Sequence, residues 1–308
     1  MNRHVYERIF PRWEPREELR PRASSGRGAS LFVRWMGTAA HVIESETTRV
    51  AIDPFVSRPG FRALATRLVP DDKEIFARFG TRLDAVVCGH SHYDHLMDAP
   101  RIARATGAKL IGSGTTCAFG RAEGVPEAQL VEIPAAGRTV TVGDLTITFV
   151  PSLHGRIALG RVPFPGSVAR VDALPARIHE YRMGGAFGLL LRASDGTSVY
   201  HNGSADLVDA ALSGEHADVL LVGLAGWRNT RDYLARLVAL LGPKVIVPTH
   251  HDAFFAPLDW GVHLLRNADL DGFVAEAERL APKTRLITAG YSEALAVDGR
   301  AADAALLY

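Results

Sequence analysis

Cysteine is scarce in this chain: only Cys88 and Cys117 occur in 308 residues. Two cysteines build no disulfide framework, and their scarcity fits a reducing compartment. Long apolar runs are missing too. No stretch approaches the roughly 20 apolar residues that cross a bilayer. Residues 1–30 are polar, with seven arginines and no apolar core of a secretory signal. Glu7, Glu14, Glu17 and Glu18 interrupt the basic residues, which argues against a transit peptide. The expected location is the cytoplasm. An excess of one charge is also absent, since 35 Lys and Arg face 34 Asp and Glu for a net charge of +1. With no basic, aromatic-interleaved stripe either, a nucleic-acid partner is not expected. Solenoid-length repeats and low-complexity tracts are likewise missing.

What remains is an ordinary globular composition, 47% hydrophobic and 22% charged. The length suits one large α/β domain or two small ones. The domain proper is expected from about Leu31. Residues 1–30 read as an extension that packs on the domain or stays loose, given their Pro-Arg and Ser-Gly-Arg-Gly composition. Short alternating runs at 31–35, 41–44 and 49–52 predict a meander of strands. A helix is expected over 72–79, a buried strand at 84–88 and a helix at 97–106. A short strand over 109–111 precedes a Gly-Ser-Gly turn, and a hairpin turns at Gly143-Asp144. Residues 155–185 lack a period and read as a long loop of the kind that often serves function. Strands at 187–191, 198–200, 219–222, 244–247 and 285–288 follow, with helices at 206–212, 230–241 and 270–280. β-rich and β/α stretches alternate twice. Two similar halves, each a sheet faced by helices on one side, predict an α/β (α+β) four-layer αββα sandwich.

The chemistry is concentrated in His90-Ser91-His92-Tyr93-Asp94-His95, directly after the buried strand. Imidazole nitrogens and a carboxylate oxygen suit zinc and similar divalent ions. Residues 90, 92 and 94 share parity, so an extended loop aims them one way while His95 points elsewhere. His90 and His92 then hold one ion, and Asp94 and His95 a neighbour. Asp98, one helical turn beyond Asp94, reads equally as a brace for a histidine ring or as a helix N-terminal carboxylate. His154 and His250 each follow a strand, as His90 does. One histidine in that position is usually solvated or core; three strand-end clusters are harder to dismiss.

These residues resemble the metallo-β-lactamase-fold hydrolase superfamily. His90-x-His92-x-Asp94-His95 matches its signature, and the likeness runs from Leu31 to about Val297 through Trp35-Met36-Gly37-Thr38-Ala39, Ile52-Asp53-Pro54, His154 and Pro248-Thr249-His250. The Gly37-Thr38-Ala39 turn and the Asp53-Pro54-Phe55 step bring it nearest the branch of ascorbate-6-phosphate lactonases and N-acyl-phosphatidylethanolamine phospholipases. The resemblance implies a single domain over 31–308. It also implies two metal sites, His90, His92 and His154 for one ion and Asp94, His95 and His250 for the other. It implies a hydrolase in which a metal-activated hydroxide, oriented by Asp94, cleaves an ester, lactone or phosphoester. His92 favours hydrolysis over the family's redox di-iron branch, which usually has Glu there. Zinc is the expected cofactor, one or two ions, with Mn2+ or Fe2+ as substitutes.

One departure stands out. Ser204 occupies the position where such proteins carry an aspartate that bridges the ions. Asp206 then reaches in from two residues away, water alone bridges, or one site stays empty. Without that carboxylate the centre is about one charge more positive, which favours an anionic small-molecule substrate. Asp53 reads as a partner of a ligand histidine or as turn chemistry, and His251 and Asp252 as braces for His250, donors to substrate or a local turn. His201 and His179 are weaker candidates for the substrate pocket. Two rival readings stay open. One is a phospholipid phosphodiesterase at a membrane surface, with an apolar patch around Phe164, although membrane association is otherwise not expected. The other is a non-catalytic metal-binding protein. Oligomeric state is unreadable.

Overall fold

Alternating apolar residues on the strands decide the layers. In the computed structural model, residues 2–24, 29–157, 160–297 and 304–307 are described. The first sheet is built from β1 (Arg22–Ser24), β2 (Leu31–Gly37), β3 (Ala40–Glu44), β4 (Arg49–Ile52), β5 (Ala85–Val87), β6 (Lys109–Gly112) and β7 (Leu130–Glu132). The second follows with β8 (Arg138–Val142), β9 (Leu145–Pro151), β10 (Phe187–Arg192), β11 (Ser198–Asn202), β12 (Val219–Gly223), β13 (Val245–Thr249) and β14 (Arg285–Leu286). The chain then returns to the first sheet as β15 (Ala294–Val297) and β16 (Ala304–Leu307). Strand orders are β1-β16-β15-β2-β3-β4-β5-β6-β7 and β14-β13-β12-β11-β10-β9-β8.

Each sheet joins an antiparallel part to a parallel part. β2, β3 and β4 pair antiparallel, and β4 to β7 pair parallel. β8 to β11 pair antiparallel, and β11 to β14 pair parallel. The parallel parts need crossovers, which the helices supply. On the first sheet these are α2 (Asp72–Phe79), α3 (Tyr93–Leu96), α4 (Ala99–Thr106) and α5 (Gly114–Glu123). On the second they are α6 (Asp209–Leu212), α7 (Tyr233–Leu241) and α8 (Leu270–Leu280).

Alternate residues split between two faces. Ile43, Val50, Ile52, Val87 and Ile111 meet Ile147, Phe149, Leu189, Leu221 and Val247 between the sheets. Val42, Ala51, Val86 and Leu110 face Ile75, Phe79, Ile102 and Phe119 of the first helical layer. Leu190, Tyr200, Leu220 and Ile246 face Leu234, Leu237, Phe273 and Val274 of the second. Each fully buried aliphatic or aromatic side chain contributes about 1.5–3 kcal/mol. The expected αββα sandwich is therefore present.

Three local readings are corrected. The Gly112-Ser113-Gly114 stretch starts a helix, because the Ser113 side chain accepts the Thr116 N–H and caps α5. The helix expected over 206–212 is confined to Asp209–Leu212, and the one over 230–241 begins at Tyr233. The N-terminal segment contributes α1 (Arg3–Ile9), whose Tyr6 is buried and donates its hydroxyl to the Ala253 carbonyl at 2.7 Å. Of the two readings for this segment, packing on the domain describes residues 2–24. The Ser25 to Gly28 stretch lies outside the described residues.

Candidate metal centre

Strand ends bring the donors together. β5 hands over to His90 and to α3, where His92 is the N-cap and Asp94 and His95 are helical. The parity argument fails here, since an extended path ends at His92. Helical spacing, not alternation, aims Asp94 and His95. His154 follows β9 and pairs in an isolated bridge with Ala205, beyond β11. His250 follows β13 in the left-handed region, with φ of 51°.

Two triads result. One ligand-capable atom from each of His90, His92 and His154 lies within 4.8 Å of the others, and the same holds for Asp94, His95 and His250. The ring centroids of His90 and His95 are 3.8 Å apart, so the triads are neighbours. The ring nitrogens turned away from the donors are mostly occupied. His92 Nε2 lies 2.8 Å from the Pro163 carbonyl, His154 Nδ1 2.7 Å from the Gly155 carbonyl and His95 Nδ1 2.9 Å from Asp53 Oδ2. That leaves His92 Nδ1, His154 Nε2 and His95 Nε2 for the centre. His90 Nε2 is buried without a hydrogen-bond partner. A buried polar atom without a partner is costly unless something absent from the protein satisfies it. Five imidazoles and one carboxylate, with His90 Nε2 left unsatisfied, fit a divalent cation pair.

Protonation states agree. Burial, reinforced by its histidine neighbours, holds His90 far below the ordinary imidazole value. Burial and then His92 push His154 down to about 3. Burial also lowers His92. These rings stay neutral, the form that ligates metal. His95 goes the other way: burial lowers it, but the Asp53 and Asp94 carboxylates outweigh that and raise it. Burial would raise Asp94, yet His95 and His250 beside it hold it below the usual carboxylate range. His250 Nε2 is 3.4 Å from Asp94 Oδ2.

Asp53 supports this centre from behind. Its Oδ1 accepts the Gly89 N–H at 2.7 Å while Oδ2 faces His95. A Cβ at Gly203 would crowd that carboxylate, falling 3.0 Å from Asp53 Oδ2 and 2.9 Å from His201 Cε1. Other candidates lie elsewhere. Ser204 is buried, and its hydroxyl donates to the Leu153 carbonyl at 2.9 Å. Asp206 accepts the Leu207 N–H and faces Arg236, so it does not reach in to replace the missing carboxylate. Asp98 stands at the N-cap of α4, as its helix-terminal reading has it, but its side chain accepts from the Val56 and Ser57 N–H groups and the Ser57 hydroxyl, so it orients no histidine. His201 is buried behind the site, with Nε2 3.0 Å from the Ala39 carbonyl, and His179 is exposed on a short 3-10 turn. Neither lines the pocket. His251 stacks 4.8 Å from Trp35, and Asp252 pairs with Arg58, so neither faces substrate.

A cavity of about 200 Å³ opens on both triads. Its walls include Tyr93, Ile157, Phe164, Phe254 and Leu265, with Asn267 at its mouth. Asp94 is the only charged carboxylate or cationic residue besides the histidines in this lining. Ile157 and Phe164 come from the long loop, of which Ala158 and Leu159 lie outside the described residues. Phe254, Leu265 and Asn267 went unnoticed in the sequence, because nothing local marks a residue whose only distinction is where a loop passes.

A family model described as a β-lactamase superfamily domain matches residues 48–251. A UPF0173 metal-dependent hydrolase from Methanopyrus kandleri is 30% identical over 73% of this chain and 85% of its own length. Another from Pyrobaculum islandicum is 28% identical over the same shares. Among solved structures, the metallo hydrolase Igni18 of Ignicoccus hospitalis superposes with a TM-score of 0.54 at 21% identity, covering 86% of this chain and 97% of that one. An isothiocyanate hydrolase from Delia radicum gut bacteria gives 0.55 at 18% identity, covering 86% and 99%. CmlA, a diiron β-hydroxylase from Streptomyces venezuelae, gives 0.58 at 14%, covering 87% and 54%. The solved structures show the shared fold alone, and that fold carries both hydrolytic and oxidative chemistry.

Proposed function

The chain belongs to the β-lactamase superfamily, and on that premise we propose that this metal-dependent hydrolase cleaves small esters, lactones or phosphoesters that carry an apolar substituent. The apolar cavity opening directly on both triads carries the reading. His90, His92 and His154 would hold one divalent cation and Asp94, His95 and His250 the other, and such cations when bound would supply Lewis acidity and lower the pKa of water to about 7. Nitrogen-rich donors suit zinc, and Fe2+ and Mn2+ are accepted as well.

The protein's own groups do the rest. Asp94, kept anionic, accepts a hydrogen bond from the attacking water and orients it. Phe164, Ile157 and Phe254 exclude bulk water and hold the substituent, which strengthens electrostatic interactions at the reacting centre. With Ser204 turned to Leu153, Asp94 is the only carboxylate among the donors. The pocket has no Lys or Arg among its lining residues, so an anionic group would be recognised at the cations. This supports the anionic small-molecule preference. The likeness of Gly37-Thr38-Ala39 and Asp53-Pro54-Phe55 to lactonases and lipid phosphodiesterases is compatible with that chemistry. Cys88 and Cys117, buried and unpaired, support a cytoplasmic setting.

The test is hydrolysis of a panel of small esters, lactones and phosphodiesters by chelator-stripped and reloaded protein. Turnover is expected only after reloading, with apolar substituents preferred. Phe164→Ala should raise KM about tenfold at unchanged metal content, since lost apolar contacts of this kind are worth about 1–3 kcal/mol. Ser204→Asp should lower the preference for anionic over neutral substrates. A loaded enzyme inert toward the whole panel, or indifferent to Phe164→Ala, sinks the reading.

A further inference from the structure

His250 differs from the other ligand histidines whose outer ring nitrogen is held. Its Nδ1 is buried and has no hydrogen-bond partner, so no side chain or carbonyl holds the ring from its outer side. Its placement on that side rests on the backbone. The His250 N–H donates to the Thr38 carbonyl at 2.9 Å, and Trp35 Nε1 donates to the same oxygen at 2.9 Å. Thr38 and His250 both sit in the left-handed region, with φ of 53° and 51°. Such backbone is strained for β-branched Thr38, though better tolerated by His250, and at Thr38 it persists only where surroundings enforce it.

The enforcing group is a buried charged triangle. Asp252 Oδ1 accepts the Thr38 N–H at 2.9 Å. Its Oδ2 accepts from the Arg58 guanidinium and from the Tyr291 hydroxyl, the latter at 2.7 Å. Arg58 Nη1 donates to the Tyr291 oxygen at 2.9 Å, closing the triangle. The Arg58 and Asp252 side chains are 2% and 0% exposed. Gly37 makes the approach possible, since a Cβ there would fall 2.0 Å from Arg58 Nη2. Asp252 thus ties the Gly37-Thr38-Ala39 turn to the same loop that carries His250. A buried ion pair of this kind contributes geometry more than net stability.

We infer that Arg58 and Tyr291 are positioning residues for the second triad, setting the His250 ring through Asp252 and Thr38 without touching substrate. The inference rests on the reading that Asp94, His95 and His250 hold a cation, but not on which bond is cleaved. Removing the Tyr291 hydroxyl leaves the ring packed and frees one lone pair of Asp252. Outer partners of ligands typically change metal affinity 10–100-fold.

The test is titration of stripped, full-length protein with Co2+, followed by visible absorption and by metal stoichiometry. Wild type should bind two ions. Tyr291→Phe should weaken one of them about 10–100-fold and leave the other unchanged, and Arg58→Lys should do the same with partial retention. Arg58→Met is the harsher variant; if it fails to fold, Tyr291→Phe still decides. Two wild-type affinities in Tyr291→Phe, even with a lowered Tm, would reduce the triangle to a structural role. Equal weakening of both ions would show general loosening and overturn the inference too. A wild type that binds one ion removes the second site and the inference with it, whatever the ester panel shows.

Discussion

The two triads face one another yet are held in different ways. The first is neutral, three imidazoles, and two of its rings lean on backbone carbonyls of Gly155 and Pro163. Those carbonyls sit in the loop that also walls the pocket. The second triad contains Asp94 and is backed by buried charge: Asp53 behind His95, and Asp252 with Arg58 behind the His250 loop. One site thus leans on a surface loop, and the other on charges buried inside the fold. The lesson is that changes far from the pocket should reach the second ion more readily than the first.

The largest effects come from removing donors. Asp94→Ala and His154→Ala should each abolish nearly all turnover, but by opposite losses. Metal analysis should find the first triad still loaded in Asp94→Ala and the second still loaded in His154→Ala. If both variants lose the same ion, the two triads are not independent sites and the comparison fails. A smaller effect is expected from Asp53→Asn, which keeps the shape but removes the charge behind His95. Activity and second-site affinity should fall about 10–100-fold. Loss confined to the first ion would contradict the division drawn above.

The smallest effect concerns the layer behind Asp53, where His41 Nδ1 and His201 Nε2 both approach the Ala39 carbonyl at 3.0 Å. Burial, with His201 nearby, drives His41 well below the imidazole value of 6.5. The unfolded chain therefore binds a proton below that pH that the folded chain refuses. Stability is full above about pH 6.5 and declines as pH falls through the depressed folded value. Tm of stripped protein should drop between pH 7 and 5, and His41→Leu should flatten part of that slope. An unchanged slope would mean that other groups carry it.

Much of this was legible from residue order. The strand-end position of His90, His154 and His250 and the density of His90 to His95 were visible because metal ligation needs specific atoms, and few side chains carry them. The αββα layering was visible because buried strands leave an alternating or continuous apolar trace. The α5 helix was hidden by glycines on either side of its cap, and the direction of Asp94 by a loop that turns helical one residue early. Ser204 was recognised as a departure. That its hydroxyl turns to Leu153, and that Asp206 turns to Arg236, depended on β11 leaving its sheet in one direction rather than another.

By itself the sequence determined the dense set of metal-capable side chains and the pattern of its layers, because these are properties of side-chain chemistry and short-range periodicity; the missing bridging carboxylate is legible only through the family resemblance. Only the tertiary structure brought the donors of each triad together, decided which residues wall the pocket, and set Arg58 and Tyr291 behind His250 through Asp252. Those pairings join residues up to 233 positions apart, as Arg58 and Tyr291 are. No local pattern encodes such a meeting. It is fixed when two sheets pack and bring the ends of distant strands to one edge.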